Sequence, residues 1–187
     1  MDQMQTGQPT PSSGSNKKTI IIVIAVVAII ALGTLAKGFL GGSMAERAAE
    51  RAIERAGGGD ANVDFRGDNT ATYKSDEGSV TVGENVSLPS NWPSDVSMVR
   101  DAKIYYAMSS NPSTGGAGIG AMFGTSQSVS EVLGYYKTEL PKQGWTIEGE
   151  LSMAGASVLS ATKGDRSLSV TVATGDNETS VTIGVSE

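Results

Sequence analysis

The stretch GWTIEGELSMAGASVLSATKGDRSLSVTVATGDNETSVTIGVS, residues 144–186, decides the fold. Apolar and polar residues alternate in it, most clearly at Leu168, Val170 and Val172 and again at Val181, Ile183 and Val185. A period of two is typical of a β-strand with one buried face. The runs GWTIEGEL, ASVLSATK, RSLSVTVAT and TSVTIGVS follow one another, so they predict an antiparallel sheet.

One amphipathic helix is predicted immediately before these strands. Ser128 and Glu131 form a capping-box pattern at its start. Apolar residues then follow at helical spacing: Val129, Val132, Leu133, Tyr136 and Leu140. We expect the helix to end or kink at Pro141, which cannot donate a backbone hydrogen bond, and the chain to leave through a left-handed Gly144.

Shorter strand patterns precede the helix. The runs NVDFR, TATYK and SVTVGENVSL predict a β-meander over residues 60–88, and AKIYYAM and AMFGTSQ predict a strand pair joined by a Gly-rich loop from Ser109 to Gly120. The predicted class is α+β, a mostly antiparallel β-sheet domain with one packed helix over residues 60–187. Residues 89–187 supply the sheet and the helix.

Residues 19–36, TIIIVIAVVAIIALGTLA, contain no charge and lie between Lys17-Lys18 and Lys37. At about 1.5 Å per residue they reach roughly 27 Å, close to the thickness of a bilayer core. A transmembrane helix is therefore expected over residues 19–40, with the lipid bilayer as its partner. A cleaved signal peptide is the alternative, because Thr34-Leu35-Ala36 resembles a cleavage site.

Residues 1–18 are rich in Gln, Ser, Pro and Gly and are expected to be a disordered cytoplasmic tail. The lysine pair beside the span favours an extracytoplasmic C-terminal domain at the cell membrane. Basic residues also follow the span, so the opposite orientation stays open.

Residues 41–59 are expected to form a charged stalk helix and a Gly linker. The segment SMAERAAERAIERA spaces Glu and Arg at i, i+3, and Gly57-Gly58-Gly59 follows it. The stalk serves either as a solvated spacer or as a short self-association seam. A homo-oligomer through the membrane or stalk helix is thus one expectation.

Composition excludes several functions. The chain has neither Cys nor His, which removes thiolate nucleophiles, the usual general base and the commonest transition-metal ligands. Residues 57–187 carry eight basic and sixteen acidic side chains, so no nucleic-acid partner is expected. We expect no cofactor and no enzymatic activity. Glu148 and Glu150, placed on one face of a strand, are interpreted as solvated charges.

Two sets of candidate site residues remain. Asp60, Asn62, Asp64 and Asp68 have the alternate spacing of calcium ligands, but Phe65 and Ala71 stand where a calcium loop has Gly and Glu, so polar turn residues are the simpler interpretation. Near the Gly-rich loop, Ile119, Met122 and Phe123 would place apolar groups in a contact loop for a partner or bilayer.

The segments TYKSDEGSVTVG, LPSNWPSDV, IYYAM, TSQSVSEVLGYYKTEL, QGWTIEG and SATKGDRSLSVTV occur in this order. The chain thereby resembles bacterial single-pass membrane-anchored envelope proteins of unassigned function. The resemblance covers roughly residues 72–185 and implies a fold and a location. We therefore expect a non-catalytic extracytoplasmic binding or structural protein of the cell envelope with an unknown protein or envelope partner. A pilin-like filament subunit and an envelope assembly or chaperone factor are the alternatives.

Overall fold

The computed structural model describes residues 61–65, 70–84, 86–111, 113, 118–153, 155–175 and 177–187, together with Arg51. The predicted tail, the span over 19–40 and the stalk apart from Arg51 lie outside the described residues. Within the part that is described, no helix is both long and apolar enough to cross a membrane. The described elements are β1 (Ala61–Phe65), β2 (Ala71–Ser75), β3 (Gly78–Val82), β4 (Lys103–Ser110), β5 (Gly118–Thr125), α1 (Val129–Lys142), β6 (Thr146–Met153), β7 (Ala156–Lys163), β8 (Arg166–Thr174) and β9 (Thr179–Ser186).

All nine strands belong to one sheet, in the order β1-β2-β3-β4-β5-β9-β8-β7-β6. Every neighbouring pair is antiparallel. This confirms the mostly antiparallel sheet with one helix. The meander formed by β1, β2 and β3 continues into β4, and β9 lies in the middle of the sheet between β5 and β8.

Helix α1 lies on one face of the sheet, over β6, β7 and β8. Its buried side chains are Val132, Leu133, Tyr136 and Leu140, which is the apolar set expected from the helical spacing except for the half-buried Val129. They pack against the apolar positions of the period-two strands, including Phe123, Leu159, Leu168, Val170, Val172, Val181 and Ile183. The main core therefore lies between α1 and the sheet.

The ends of α1 follow the sequence signals. The Ser128 side chain accepts a hydrogen bond from the Glu131 backbone N–H, and the Ser128 backbone N–H donates to the Glu131 carboxylate, which confirms the capping box. The helix continues through Pro141 to Lys142, one residue beyond the expected break. Gly144 then leaves the helix at a φ of +84°, as expected.

A segment without strands, residues 86–102, is tied to the end of α1 by a charged cluster. The Asp95 carboxylate accepts hydrogen bonds from Lys163 Nζ at 2.6 Å and Arg166 Nη2 at 2.5 Å. Partial burial pushes the pKa of Asp95 upward, but the hydrogen bonds from Lys163 and Arg166 outweigh this and lower it. The Arg166 guanidinium lies 4.7 Å above the ring centre of Trp145, whose indole N–H donates to the Asp95 carbonyl. The cluster thus joins the segment to the helix exit.

Asp101 holds the other end of this segment against the chain that leads into α1. Its carboxylate accepts hydrogen bonds from the Ser126 hydroxyl, the Ser126 backbone N–H at 3.1 Å and the Thr125 hydroxyl at 2.8 Å. These bonds favour the ionised form, so they hold the pKa of Asp101 far below its ordinary value of 3.8. Its backbone φ is +60°, a region that Asn also tolerates.

We expect the Asp101→Asn variant to be less stable than the wild type at pH 7 but closer to it in acid. A carboxyl whose pKa is lowered on folding stabilises the fold above its unfolded value, and this contribution is lost as the pH falls toward the folded value. Urea unfolding midpoints at pH 7 and pH 3 measure the difference. An unchanged gap between the two proteins at both pH values would show that the charge of Asp101 does not matter.

Candidate functional site

An open groove of about 840 Å³ lies on the face of the sheet opposite α1. It crosses the strands from β4 through β5, β9, β8 and β7 to β6. At a strand spacing of roughly 4.8 Å, these five steps correspond to about 24 Å along the sheet. The side chains that point to this face of the groove are Tyr106, Met108, Met122, Glu148, Ser160, Thr162, Ser167, Ser169, Thr182 and Ser186.

The floor of the groove is a row of very small residues that the strand register aligns. Gly120 pairs with Gly184 across β5 and β9, and Gly184 pairs with Ser169 of β8. Ser169 in turn pairs with Ser160 of β7. Successive side chains of a strand point to opposite faces, so these positions alternate with the core residues on the other side. Because the residues of this row carry a small side chain or none, the floor of the groove lies close to the backbone of the sheet.

The two floor glycines differ in how much room lies above them. A Cβ placed on Gly184 would meet no atom within 4 Å. A Cβ on Gly120 would lie 3.1 Å from the Ile183 carbonyl oxygen and 3.3 Å from Cγ of Met108. The open space of the groove is therefore above Gly184, and Met108 closes over Gly120.

Larger side chains line the β4 end of the groove. Tyr106 pairs with Met122, and Met108 follows on the same strand face. The Tyr106 hydroxyl donates to Sδ of Met108 at 3.4 Å. Burial raises the pKa of Tyr106, so the phenol is neutral at ordinary pH. This end of the groove is apolar and uncharged.

Glu148 is the one charged side chain that the described lining contains. Its Oε1 accepts a hydrogen bond from the Thr162 hydroxyl at 2.7 Å. The sequence predicts Glu150 on the same face as Glu148, and this prediction is wrong because the β6–β7 register shifts between Ile147 and Gly149. The shift turns Glu150 toward α1, where its carboxylate pairs with Lys137. The two carboxylates are thus separated by the sheet.

The apolar surface continues from the groove to the edge of the sheet. Leu151 of the edge strand β6 pairs with Val158, which lies in the row that leads to Thr182 and Met122. Leu151 and Met153 are 62% and 63% exposed, respectively. Both side chains lie on the groove face of β6, so this face presents apolar surface beyond the groove itself.

The space between α1 and the sheet is filled. Phe123 and Val132 are 0% exposed, and Tyr136 and Leu140 are each 1% exposed. Burial and the neighbouring Tyr135 raise the pKa of Tyr136. In the described part of the chain, this interface is a packed core and not a ligand pocket.

The residues expected in a contact loop lie elsewhere. Ile119, Met122 and Phe123 are all in β5, which begins at Gly118. Ile119 and Phe123 are buried in the core, so the expectation that they form an exposed contact surface is wrong for both. The alternation of the strand turns only Met122 toward the groove.

The calcium candidates are only partly described. Asn62 and Asp64 lie two residues apart in β1 and are both exposed. Asp60 and Asp68 lie outside the described residues. Among the residues that the structure describes, no three Asp or Glu side chains are grouped closely enough to hold a metal ion.

Comparison with known proteins gives one similarity. A family model described as START domain-like matches residues 106–182, less than half of the chain. The match extends from the second half of β4 into β9, so it includes α1 and most of the groove lining but omits β1, β2 and β3. No curated protein and no solved structure matches the chain.

Proposed function

We propose that this protein is a single-pass membrane-anchored domain of the bacterial cell envelope that binds a small lipid-like molecule without catalysis. The groove above Gly184 is the observation that carries the proposal. Its volume of about 840 Å³ lies within the usual range for small-molecule sites. Most of its exposed surface is carbon, because glycines and the small side chains of serine and threonine form the floor and Tyr106, Met108 and Met122 form one end.

The START-like similarity supports binding as the activity. Domains of this kind are generally ligand-binding and not enzymatic. The chain also lacks the His and Cys side chains on which many catalytic sites depend. The interface between α1 and the sheet is packed, whereas the opposite face carries the open groove of about 840 Å³.

The membrane location rests on the sequence. Residues 19–36 are uncharged and long enough to cross a bilayer core, and the resemblance to single-pass envelope proteins extends over most of the folded domain. A domain held beside a bilayer is exposed to lipid molecules at high local concentration. A membrane anchor and a groove that binds a lipid-like molecule are therefore consistent with one function, the binding of lipids at the membrane surface.

Ligand protection of a single cysteine tests the groove. The chain has no native Cys, and Ser169 is an exposed floor residue, so the S169C variant reports access to the groove. We expect 1-decanol to slow the reaction of S169C with a water-soluble methanethiosulfonate by at least about tenfold at saturation. The full chain would be measured in phosphatidylcholine nanodiscs. S130C, on the exposed start of α1, is the matched control and should react at one rate throughout.

Two outcomes would contradict this proposal. Equal rates for S169C with and without decanol would mean that the groove binds no such molecule. A slow reaction without decanol that becomes faster on dilution of the protein would mean that a second copy of the chain covers this face.

Cysteine labelling in intact cells tests the orientation. A membrane-impermeant maleimide is expected to label S130C but not S12C, because the folded domain is proposed to lie outside the membrane and the tail inside. Permeabilised cells, in which both variants should react, provide the control. Labelling of S12C alone in intact cells would place the domain in the cytoplasm.

A further inference from the structure

We propose that Glu148 selects the polar end of the ligand, so that the groove prefers a cationic head group to an anionic one. This inference rests on the proposed ligand groove and specifies the chemistry of what it binds. It depends on the position, the isolation and the surroundings of one carboxylate.

Glu148 lies at the β6 end of the groove, and Tyr106 and Met122 lie at the β4 end. The floor between the two ends consists of glycine and serine positions without charge. An extended apolar tail would therefore lie across the floor toward Tyr106 and Met122. Its polar end would then meet Glu148, beside solvent at the edge strand.

No described cation on this face neutralises Glu148. The nearest basic residues in sequence on β7 and β8, Lys163 and Arg166, both bind Asp95 on the other side of the sheet. Lys137 binds Glu150, also on the α1 side. Glu148 accepts a hydrogen bond from the Thr162 hydroxyl, which is neutral. An ionised carboxylate accepts hydrogen bonds and attracts cations, whereas it repels a carboxylate, sulfate or phosphate.

The expected preference is modest because Glu148 is exposed to water. Two unit charges at contact distance in water interact strongly enough to change binding by about fivefold, and more where the site excludes solvent. We therefore expect decyltrimethylammonium to protect S169C at a concentration about 25-fold lower than decyl sulfate does, about fivefold from attraction of the ammonium and about fivefold from repulsion of the sulfate. Uncharged 1-decanol should fall between them.

The E148Q and E150Q variants separate the local effect of Glu148 from the overall negative charge. Both remove one negative charge from the same strand, but only Glu148 faces the groove. Each would be combined with S169C in the full chain in phosphatidylcholine nanodiscs, with the same three decyl compounds as probes. E148Q should abolish the difference between the ammonium and the sulfate, and E150Q should retain it.

The possible results distinguish this inference from the proposed function. If none of the three compounds protects S169C, the ligand groove itself is wrong. If decanol protects but the two charged compounds do so at equal concentrations, the groove stands and the role of Glu148 is wrong. A preference that E148Q leaves intact, or that E150Q removes equally, also overturns the inference.

Discussion

Replacing Phe123 by alanine is expected to lower the free energy of unfolding by about 3–5 kcal/mol, the usual cost of truncating a large core aromatic side chain. Phe123 is 0% exposed and packs in the core between α1 and the sheet. Its removal would leave a cavity that rigid strands on both sides cannot close. Urea unfolding of the full chain, followed by the fluorescence of Trp92 and the buried Trp145, measures the loss.

Met122 is the matched control for Phe123 because it is the next residue and points to the opposite face. Met122→Ala is expected to cost less than about 1.5 kcal/mol, since a half-buried side chain at the groove wall leaves no closed cavity. If Phe123→Ala were as mild as Met122→Ala, Phe123 would not be a core residue, and its interpretation as a contact residue would be restored.

Replacing Gly184 by valine is expected to remove most of the decanol protection of S169C, with at least a tenfold rise in the concentration required. The added side chain enters the space above Gly184, where a Cβ meets no atom within 4 Å. A branched residue suits a β-strand, so stability should not fall. The double variant with S169C would be compared with S169C alone.

Gly134 offers the same substitution on the other side of the sheet. It is an exposed residue of α1, and a Cβ on it would also meet nothing within 4 Å. Gly134→Val should leave decanol protection unchanged. Loss of protection in both variants, or in neither, would argue against a ligand above Gly184.

Much of the fold could be predicted from local patterns. The four C-terminal strands have period-two faces, and the Ser128–Glu131 capping box marks the start of α1. These signals depend on residues close in sequence, so they can be interpreted without knowledge of the rest of the structure. The left-handed conformation of Gly144 is also predicted from a local signal, the position of a glycine just after the helix.

The details that depend on strand pairing could not be predicted. Ile119 looked like part of a loop because glycines surround it, yet pairing of β5 with β9 extends the strand to Gly118. The register shift in β6 separates Glu148 from Glu150, and nothing in the alternation of GWTIEGEL indicates it. Pro141 remains inside α1 as its second-last residue, so only Lys142 follows any distortion that the proline causes.

The groove was missed because its floor residues are individually ordinary. Gly120, Gly184, Ser169 and Ser160 each occupy an outward position in an alternating strand, where small polar residues are common. Only the register brings them into one row. The available signal was the recurrence of Gly or Ser at outward positions in successive strands, but the sequence does not say which strands are neighbours.

The central place of β9 in the sheet governs how this domain forms during protein synthesis. Of the nine described strands, β9 is the last to leave the ribosome, and its pairing with β5 and β8 joins the group β1–β5 to the group β6–β8. Gly118 meets its partner Ser186 across 68 positions of chain. Contacts of such long range slow folding. Until β9 is synthesised, the edges of β5 and β8 that pair with it have no partner. Unpaired strand edges can pair with other chains, so the incomplete domain is exposed to aggregation at this stage.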